Sequence, residues 1–314
     1  AFPIFYAVIE NDLRRVLAYS LNNQLGFMVA GIGIGTTLAI NGAVAHAFAH
    51  ILYKALLFMS MGAVLHRVGT AKGSELGGLY KSMPWTAVFC IIGSASISAF
   101  PLFSGFVTKS MIMTAAAEEN YLVPFLILLF ASAGVFHHSG IKIPFFAFFA
   151  HDSGKRCKEA PFNMLLAMAI TAILCIGIGI YPDPLYHLLP YPVDYVPYTT
   201  SHVVTMLQLL MFSALAFAVL QRTGLYPPEL RSTVLDFDFS YRWIAPKLFG
   251  WIFKHGSIAW ETMRKDMKYM LQNTINFMFE FHGPKGFLAR TIAVGNSAAI
   301  VLVLLLVLLA VILV

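Results

Sequence analysis

The apolar stretch AVAHAFAHILYKALLFMSMG carries three side chains that bind and release protons: His46, His50 and Lys54. Successive members are four residues apart, which places all three on one face of a helix. A lysine in mid-membrane costs about 2.5–3.5 kcal/mol on insertion scales, so Lys54 is expected to face protein or water. Since burial brings the pKa of a lysine closer to that of a histidine, such groups can pass protons along a row. The pattern predicts a proton relay.

The same row of residues also fits two interpretations other than a relay. A histidine in it can also serve only as a hydrogen-bonding group between helices. The H-x-x-x-H spacing also occurs in metal sites, but no Asp, Glu or Cys lies nearby in sequence to complete the ligand set. Lys54 would in addition repel a cation. We therefore expect no metal and no other cofactor.

A second candidate feature is an interruption in the segment SASISAFPLFSGFVTKSMIM. Pro101 and Gly105 fall in mid-membrane, and Lys109 follows directly. Interrupted helices are tolerated at that depth where they line a cavity or are buried in protein, and in transporters their ends help to form ion sites. The alternative is a simple proline kink. We predict that Lys109 belongs to the relay.

A third group, His137, His138 and Lys142, lies in the apolar stretch 121–150. Adjacent helical residues point about 100° apart, so at most one of the two histidines faces Lys54 well. Lys142 is expected to extend toward the inner surface. These three residues, with Arg14 at the inner end of the first span, are the less specific candidates for relay or channel positions.

These residues must be positioned by membrane helices. The chain has 314 residues, of which 59% are hydrophobic and only 11% charged, against about 25% charged in a typical soluble domain. Apolar runs of about 20 residues recur along the chain, as in transmembrane helices. We predict an all-α, polytopic transmembrane bundle with one discontinuous helix, a lateral amphipathic helix and a C-terminal transmembrane helix. The predicted spans are 16–34, 40–65, 85–117 with its break, 121–150, 164–180, 203–220 and 293–313.

The distribution of basic residues predicts the orientation of these spans. Cytoplasmic loops carry an excess of Lys and Arg. The loops around 14–15, 67–81 and 155–158 are basic, whereas 118–121 and 183–200 contain no Lys or Arg. This alternation favours a single interrupted crossing over 85–117. Basic residues in short loops set topology, and we expect no nucleic-acid partner.

The chain after residue 220 is predicted to contain two further segments. Residues 221–286 form a basic cytoplasmic or interfacial segment, in which 257–281 shows helical spacing of apolar residues. Such a helix is either a surface anchor or a lateral brace along neighbouring helices. The predicted domains are thus 1–220, the proton-conducting part, then 221–286, then a terminal helix over 287–314. The opening AFPIFYAVIEN is typical of the last turns of a membrane helix, so we expect a fragment that lacks an N-terminal half.

Several motifs resemble a known family: ENDLRRVLAYSLNNQLGFM (10–28), HAFAHILYKALLFMSMGAVLH (46–66), GGLYKSMP (77–84) and AFPLFSGFVTKSMIM (99–113). Together they are similar to the antiporter-like subunits, which include Mrp-type Na+/H+ antiporter subunits and the proton-pumping membrane subunits of respiratory complex I. The run GIKIPFFAFFAHDSGKRCKEAPFNMLLAM (140–168) most resembles the D-type subunit of Mrp antiporters. From about residue 240 onward the chain instead resembles the lateral helix of the distal complex I pump subunit.

The resemblance implies two inverted repeats of five helices, each with one discontinuous helix, and this chain would begin in the second repeat. His46, His50 and Lys54 match the central relay helix, and Lys109 matches the lysine beside the break. Arg14 falls where family members often have Lys, and an arginine does not readily give up its proton.

The resemblance also implies a function, namely proton translocation as a subunit of a multi-subunit monovalent cation (Na+)/proton antiporter. Its partners would be other membrane subunits, protons, Na+ or another monovalent cation, and the lipid bilayer of a bacterial plasma (inner) membrane. Such a transporter has no catalytic chemistry of its own. The alternatives are a pump subunit of a complex I-like NADH-quinone oxidoreductase or hydrogenase, and a non-transporting membrane scaffold.

Overall fold

The computed structural model of this protein describes residues 1–226, 229–232, 234–235 and 238–312. Positions 227–228, 233, 236–237 and 313–314, which fall within the predicted segments 221–286 and 287–314, lie outside the described residues. The described chain is helical and contains no β-strand, so the predicted all-α class is confirmed. The principal helices are α1 (Pro3–Ile9), α2 (Leu13–Ile34), α3 (Thr37–Val68), α4 (Pro84–Ile97), α5 (Ser104–Glu118), α6 (Leu122–Phe149), α7 (Phe162–Ile180), α8 (Thr200–Arg222), α9 (Ala245–His282) and α10 (Val294–Ile312).

The helices belong to two compact units, Ala1–Val234 and Leu235–Val314. The first holds α1 to α8, and α3 is its central helix, packed against α2, α4, α5 and α7. The second holds α9 and α10. The division into a conducting part, an interfacial segment and a terminal helix remains a prediction.

Within the described residues, five helices are long and apolar enough to cross a membrane: α3, α6, α7, α8 and α10. Helix α2 has 22 residues, about 33 Å at 1.5 Å per residue, but it is less apolar because its buried face carries Ser20, Asn23 and Gln24. Its ends are well defined. The Asp12 side chain accepts hydrogen bonds from the first turn, and Gly35 ends the helix with a left-handed conformation (φ 79°).

The predicted interruption separates α4 from α5. Ala99 (φ 59°) and Leu102 (φ 75°) take left-handed backbone conformations that cost non-glycine residues energy. Gly105 allows the first turn of α5 to approach the end of α4, since a Cβ atom there would lie 1.9 Å from the main-chain oxygen of Ser96. The two half-helices are thus held in close contact. The main-chain oxygen of Ile97, at the end of α4, accepts a hydrogen bond from a side chain of α5.

Side-chain contacts group the loops at the two ends of the first unit. At one end Lys81 pairs with Asp152 at 2.8 Å, and Arg67 donates to the main-chain oxygen of Glu159 at 2.9 Å. At the other end Asn41 donates to the main-chain oxygen of Tyr191 at 2.9 Å. The basic loops therefore share one end, which we call the inner end by the positive-inside rule. This grouping agrees with one interrupted crossing by α4 and α5.

Helix α6 is not a regular α-helix along its length. It contains two π-helical segments, Phe136–Ile141 and Phe145–Phe149, on either side of Pro144. Segments of this kind often mark functional sites because they turn neighbouring side chains in new directions. The candidates His137, His138 and Lys142 all lie in this irregular part of the helix.

In the second unit, α9 is longer than the helix predicted over 257–281. It has 38 residues, about 57 Å at 1.5 Å per residue, and none of them is buried. Gly250 and Gly256 weakened the sequence signal for the first part of this helix, because glycine disfavours helix interiors. Pro246 lies in the first turn, where no backbone donor is needed.

Candidate functional site

The three candidates of α3 face the interior of the bundle. His46, His50 and Lys54 are 0%, 7% and 4% exposed, as expected for residues on one helix face. The ring centroids of His46 and His50 lie 6.4 Å apart. Lys109 of α5 is also fully buried. We call these four residues the relay row.

His46 is hydrogen-bonded through both ring nitrogens. Its Nε2 atom lies 3.1 Å from Gln24 Oε1, and its Nδ1 atom lies 3.3 Å from Thr108 Oγ1. Tyr53 OH donates to the same Gln24 oxygen at 3.0 Å, and Thr108 Oγ1 donates to the main-chain oxygen of Ser104 at 3.0 Å. Both oxygens facing His46 are thus free to accept, so the shell solvates a ring that carries a proton on each nitrogen.

Lys109 lies at the break, next to the partner of His46 in sequence. Its Nζ atom donates to the main-chain oxygen of Ile97 at 3.3 Å and stands 5.3 Å from the Phe27 ring centroid. The carbonyl groups at the end of a helix lack intrahelical donors and carry partial negative charge. The end of α4 therefore stabilises an ammonium group inside the bundle, and Thr108 connects that position to His46.

The other end of the row is less completely bonded. Among the described residues, no group makes a hydrogen bond to Lys54 Nζ or to His50 Nε2. Buried polar groups generally find partners, and a buried amine without a protein partner needs water. This part of the interior is therefore chemically suited to hydration, as a proton path requires.

His138 extends the buried polar row toward α6. It is fully buried and lies four residues before Lys142 in α6. Its Nδ1 atom is 2.8 Å from Ser139 Oγ, which donates to Ser20 Oγ at 2.9 Å. Helix α6 thus buries one of its two histidines inside the bundle.

His137 and Arg14 lie apart from the relay row. The His137 ring packs 5.1 Å from Phe217 and 5.2 Å from Tyr226, measured between centroids. Arg14 is exposed in the first turn of α2. The structure therefore groups six of the eight candidates in the interior and leaves these two at other positions.

Lys142 does not extend to the surface, so the expectation that it would reach the inner surface is wrong. Its side chain is 0% exposed and forms an ion pair with Glu229 at 2.8 Å. It also donates to the main-chain oxygens of Val8 and Glu10, both at 2.7 Å. Oxygen atoms from two distant segments satisfy this ammonium group inside the protein, which removes the reason to reach for solvent. We call Glu10, Lys142 and Glu229 the inner cluster.

Several polar residues of the site were not singled out from the sequence. Gln24 had a detectable signal, because the run SLNNQLG places polar residues within an apolar span. Glu229 had none, since it follows α8 in a segment of ordinary polar composition. The remaining residues of this kind are Ser20, Tyr53, Thr108, Ser139 and Glu10.

This chain is similar to known membrane proteins in its sequence and in its structure. Residues 3–137 match the model of the family described as NADH:quinone oxidoreductase/Mrp antiporter, transmembrane. The chain is 34% identical over 189 residues to the D-type subunit of the Na(+)/H(+) antiporter of Alkalihalophilus pseudofirmus, covering 59% of this chain and 38% of that protein. It is 39% identical over 120 residues to NADH-ubiquinone oxidoreductase chain 5 of Artemia franciscana, covering 38% of this chain and 22% of that protein.

A solved structure, that of the Mrp complex from Dietzia sp. DQ12-45-1b, shares the fold. It matches with a TM-score of 0.65 and 22% identity over 99% of this chain and 32% of the matched chain. The present chain thus spans less than half the length of each of these proteins. The resemblance predicted from the sequence motifs is confirmed.

Proposed function

We propose that the chain, whose residues 3–137 match the family model described as NADH:quinone oxidoreductase/Mrp antiporter, transmembrane, conducts protons within a multi-subunit monovalent cation/proton antiporter. Protons pass along the relay row between Lys54 and Lys109, with His50 and His46 between them. The cation exchanged in the intact complex is Na+ or another monovalent ion. The chain itself supplies the proton path rather than any catalytic chemistry.

One observation carries this proposal, namely a row of buried proton-binding groups on neighbouring helices. His46 contacts Thr108, Thr108 precedes Lys109, and the His46 and His50 rings are neighbours on one helix face. Buried lysines are costly in a membrane protein unless they serve a path or a partner. A scaffold built for stability would place apolar side chains at these positions instead.

The partners follow from the kind of assembly in which the relatives occur. The related proteins are named as a subunit of an antiporter and a chain of an oxidoreductase, and the matched structure is that of a complex. We propose that this chain likewise assembles with other membrane subunits, in a bacterial plasma membrane.

The function is tested with the intact complex reconstituted into liposomes that enclose a pH-sensitive dye. A Na+ gradient is imposed with no electron donor or quinone present. We expect the internal pH to change when Na+ is added and to return when a protonophore is added. Liposomes with no protein provide the control for leak.

A second candidate, a proton-pumping subunit of a redox complex, is favoured by the similarity to NADH-ubiquinone oxidoreductase chain 5. The same liposomes separate the two functions. Proton movement that requires a reductant and a quinone, and that ignores Na+ and other monovalent cations, would contradict the antiporter and establish the second candidate.

A further inference from the structure

The inner cluster lies at the end of α1, beside the inner loop that contains Gly73. The Lys142 ammonium is held by Glu229 Oε1 and by the main-chain oxygens that end α1. Glu10 Oε2 lies 3.4 Å from Arg15 Nε, and Glu10 Oε1 accepts from the main-chain nitrogen of Asp12 at 3.0 Å. Together with Arg15, the inner cluster brings two acidic and two basic side chains into contact and is balanced in charge.

The geometry distinguishes this cluster from a simple structural ion pair. Glu229 binds Lys142 through one oxygen, whereas Oε2 makes no hydrogen bond to a described residue and lies against Gly73 in the inner loop. The hydroxyl of Tyr226, a buried side chain, also makes no hydrogen bond within the described chain. A polar atom left free on the side of the inner loop is positioned to bind a proton. In structural ion pairs both oxygens of a buried carboxylate are generally bonded.

The opposite side of Lys142 leads into the bundle. His138 lies about one helical turn before Lys142 in α6, and both side chains are fully buried. Its Nε2 atom makes no hydrogen bond to a described residue, whereas Nδ1 is bonded to Ser139. His138 therefore lies beside Lys142 in the bundle interior, with Nε2 able to exchange a proton.

We propose that the inner cluster is a proton-loading gate, in which Glu229 takes protons from the inner side and passes them through Lys142 to His138. This inference rests on the proposed function, because it supplies the relay row with its protons. The Lys142 ammonium gives one proton to neutral His138 and becomes an amine. Glu229, protonated from the inner side, then gives its proton to that amine, which restores the ion pair and completes the transfer of one proton.

The electrostatics of the cluster support this role for Glu229. Burial raises the pKa of the Glu229 carboxyl, the positive charge of Lys142 opposes that shift, and Glu10 adds to it. When Lys142 has given up its proton, the opposing charge is gone and Glu229 binds a proton more readily. The groups that face this pair are Glu10, Arg15, Tyr226, His137 and His138. Loading is thereby coupled to the state of Lys142.

Two substitutions separate proton transfer from structural support. Lys142→Arg keeps the positive charge and the ion pair, but a guanidinium group does not release its proton. Glu229→Gln keeps an oxygen that accepts a hydrogen bond from Lys142 but does not bind and release protons. Both are made in the intact complex, with Lys54→Ala in parallel as the test of the relay row itself.

We expect Lys142→Arg to lower the rate of proton transport at least about tenfold in complexes that assemble normally. Glu229→Gln should lower the rate and remove one limb of its dependence on inner pH, and Glu229→Asp should restore that limb. A structural role would leave the shape of the pH profile unchanged. If Lys142→Arg prevents assembly, the comparison of Glu229→Gln with Glu229→Asp tests the gate instead. Glu229→Gln still provides the Lys142 ammonium group with a hydrogen-bond acceptor.

The gate is overturned if Lys142→Arg transports at the wild-type rate, or if Glu229→Gln keeps the wild-type rate and pH profile. In either case a loss of transport in Lys54→Ala would leave the proposed function standing. Wild-type transport in Lys54→Ala would instead contradict the proposed function. The two failures are thus distinguishable in one set of measurements.

Discussion

Lys109 Nζ donates a hydrogen bond to the main-chain oxygen of Ile97, at 3.3 Å, across the break between α4 and α5. The bond stabilises the interruption between the two half-helices. Unwinding exposes carbonyl oxygens, and a lysine on the second half-helix supplies a donor to one of them. The same contact places the ammonium group next to Thr108, the residue bonded to His46. The same contact therefore stabilises the break between α4 and α5 and positions Lys109 next to Thr108.

Replacing Lys109 with alanine should abolish proton transport, with a loss of at least about tenfold. It also removes the donor to Ile97, which we expect to cost about 0.5–1.5 kcal/mol of stability. Transport is measured in liposomes and stability by thermal unfolding of the complex. Lys81→Ala, which removes an exposed lysine at the inner end, is the control and should transport normally. Wild-type transport in Lys109→Ala would exclude this residue from the path.

The shell around His46 predicts the effect of Thr108→Val, a change of hydroxyl to methyl at nearly constant volume. The valine removes the oxygen that accepts from His46 Nδ1 in the doubly protonated ring. We expect transport to fall several-fold while assembly is retained. Ser60→Ala is the matched control, because the Ser60 hydroxyl is equally buried but donates to the main-chain oxygen of Leu56. Equal transport in both variants would argue against a charged His46 intermediate.

The packing at the break predicts that Gly105→Ala is not tolerated. The added Cβ atom would lie 1.9 Å from the main-chain oxygen of Ser96, so the half-helices must separate. Overpacking of this kind costs about 1–3 kcal/mol and here also displaces Lys109. Gly62→Ala in α3, where nothing lies within 4 Å of the new atom, is the control. The yield and the thermal midpoint of the assembled complex are measured, and equal values for both variants would contradict the close approach.

The raised pKa of Glu229 predicts a pH dependence of stability with a definite sign. Burial is the main cause of the shift, and the folded protein therefore binds this proton more tightly than the unfolded chain does. Stability relative to Glu229→Gln is accordingly highest below the unfolded pKa and falls as the pH rises through the folded pKa. Thermal midpoints of both proteins between about pH 4 and pH 8 give the comparison. A difference that grows with pH in favour of the wild type would contradict the shift.

The sequence predicted most about residues whose signal lies within one helix. His46, His50 and Lys54 belong to one helical period, and the break at Pro101 is marked by local residues, so both features were recognisable. The family resemblance was recognisable for the same reason, since its motifs are continuous segments.

Contacts between distant segments were not predictable in this way. The burial of Lys142 depends on Glu229 and on the end of α1, and no periodic pattern links those segments. In isolation a lysine near the end of a span is expected to reach for water, and only the folded protein supplies the competing oxygen atoms. The role of Gln24 beside His46 is likewise a contact between two helices.

The central claim is that protons cross this chain along the relay row, and Lys54 tests it most directly. Lys54→Gln removes the buried amine of the row while keeping a polar side chain of similar length. In the intact complex in liposomes, with assembly verified, we predict that Na+-driven proton flux falls at least about tenfold, or about 1.4 kcal/mol in the barrier. Proton flux equal to that of the wild type in this variant would contradict the relay.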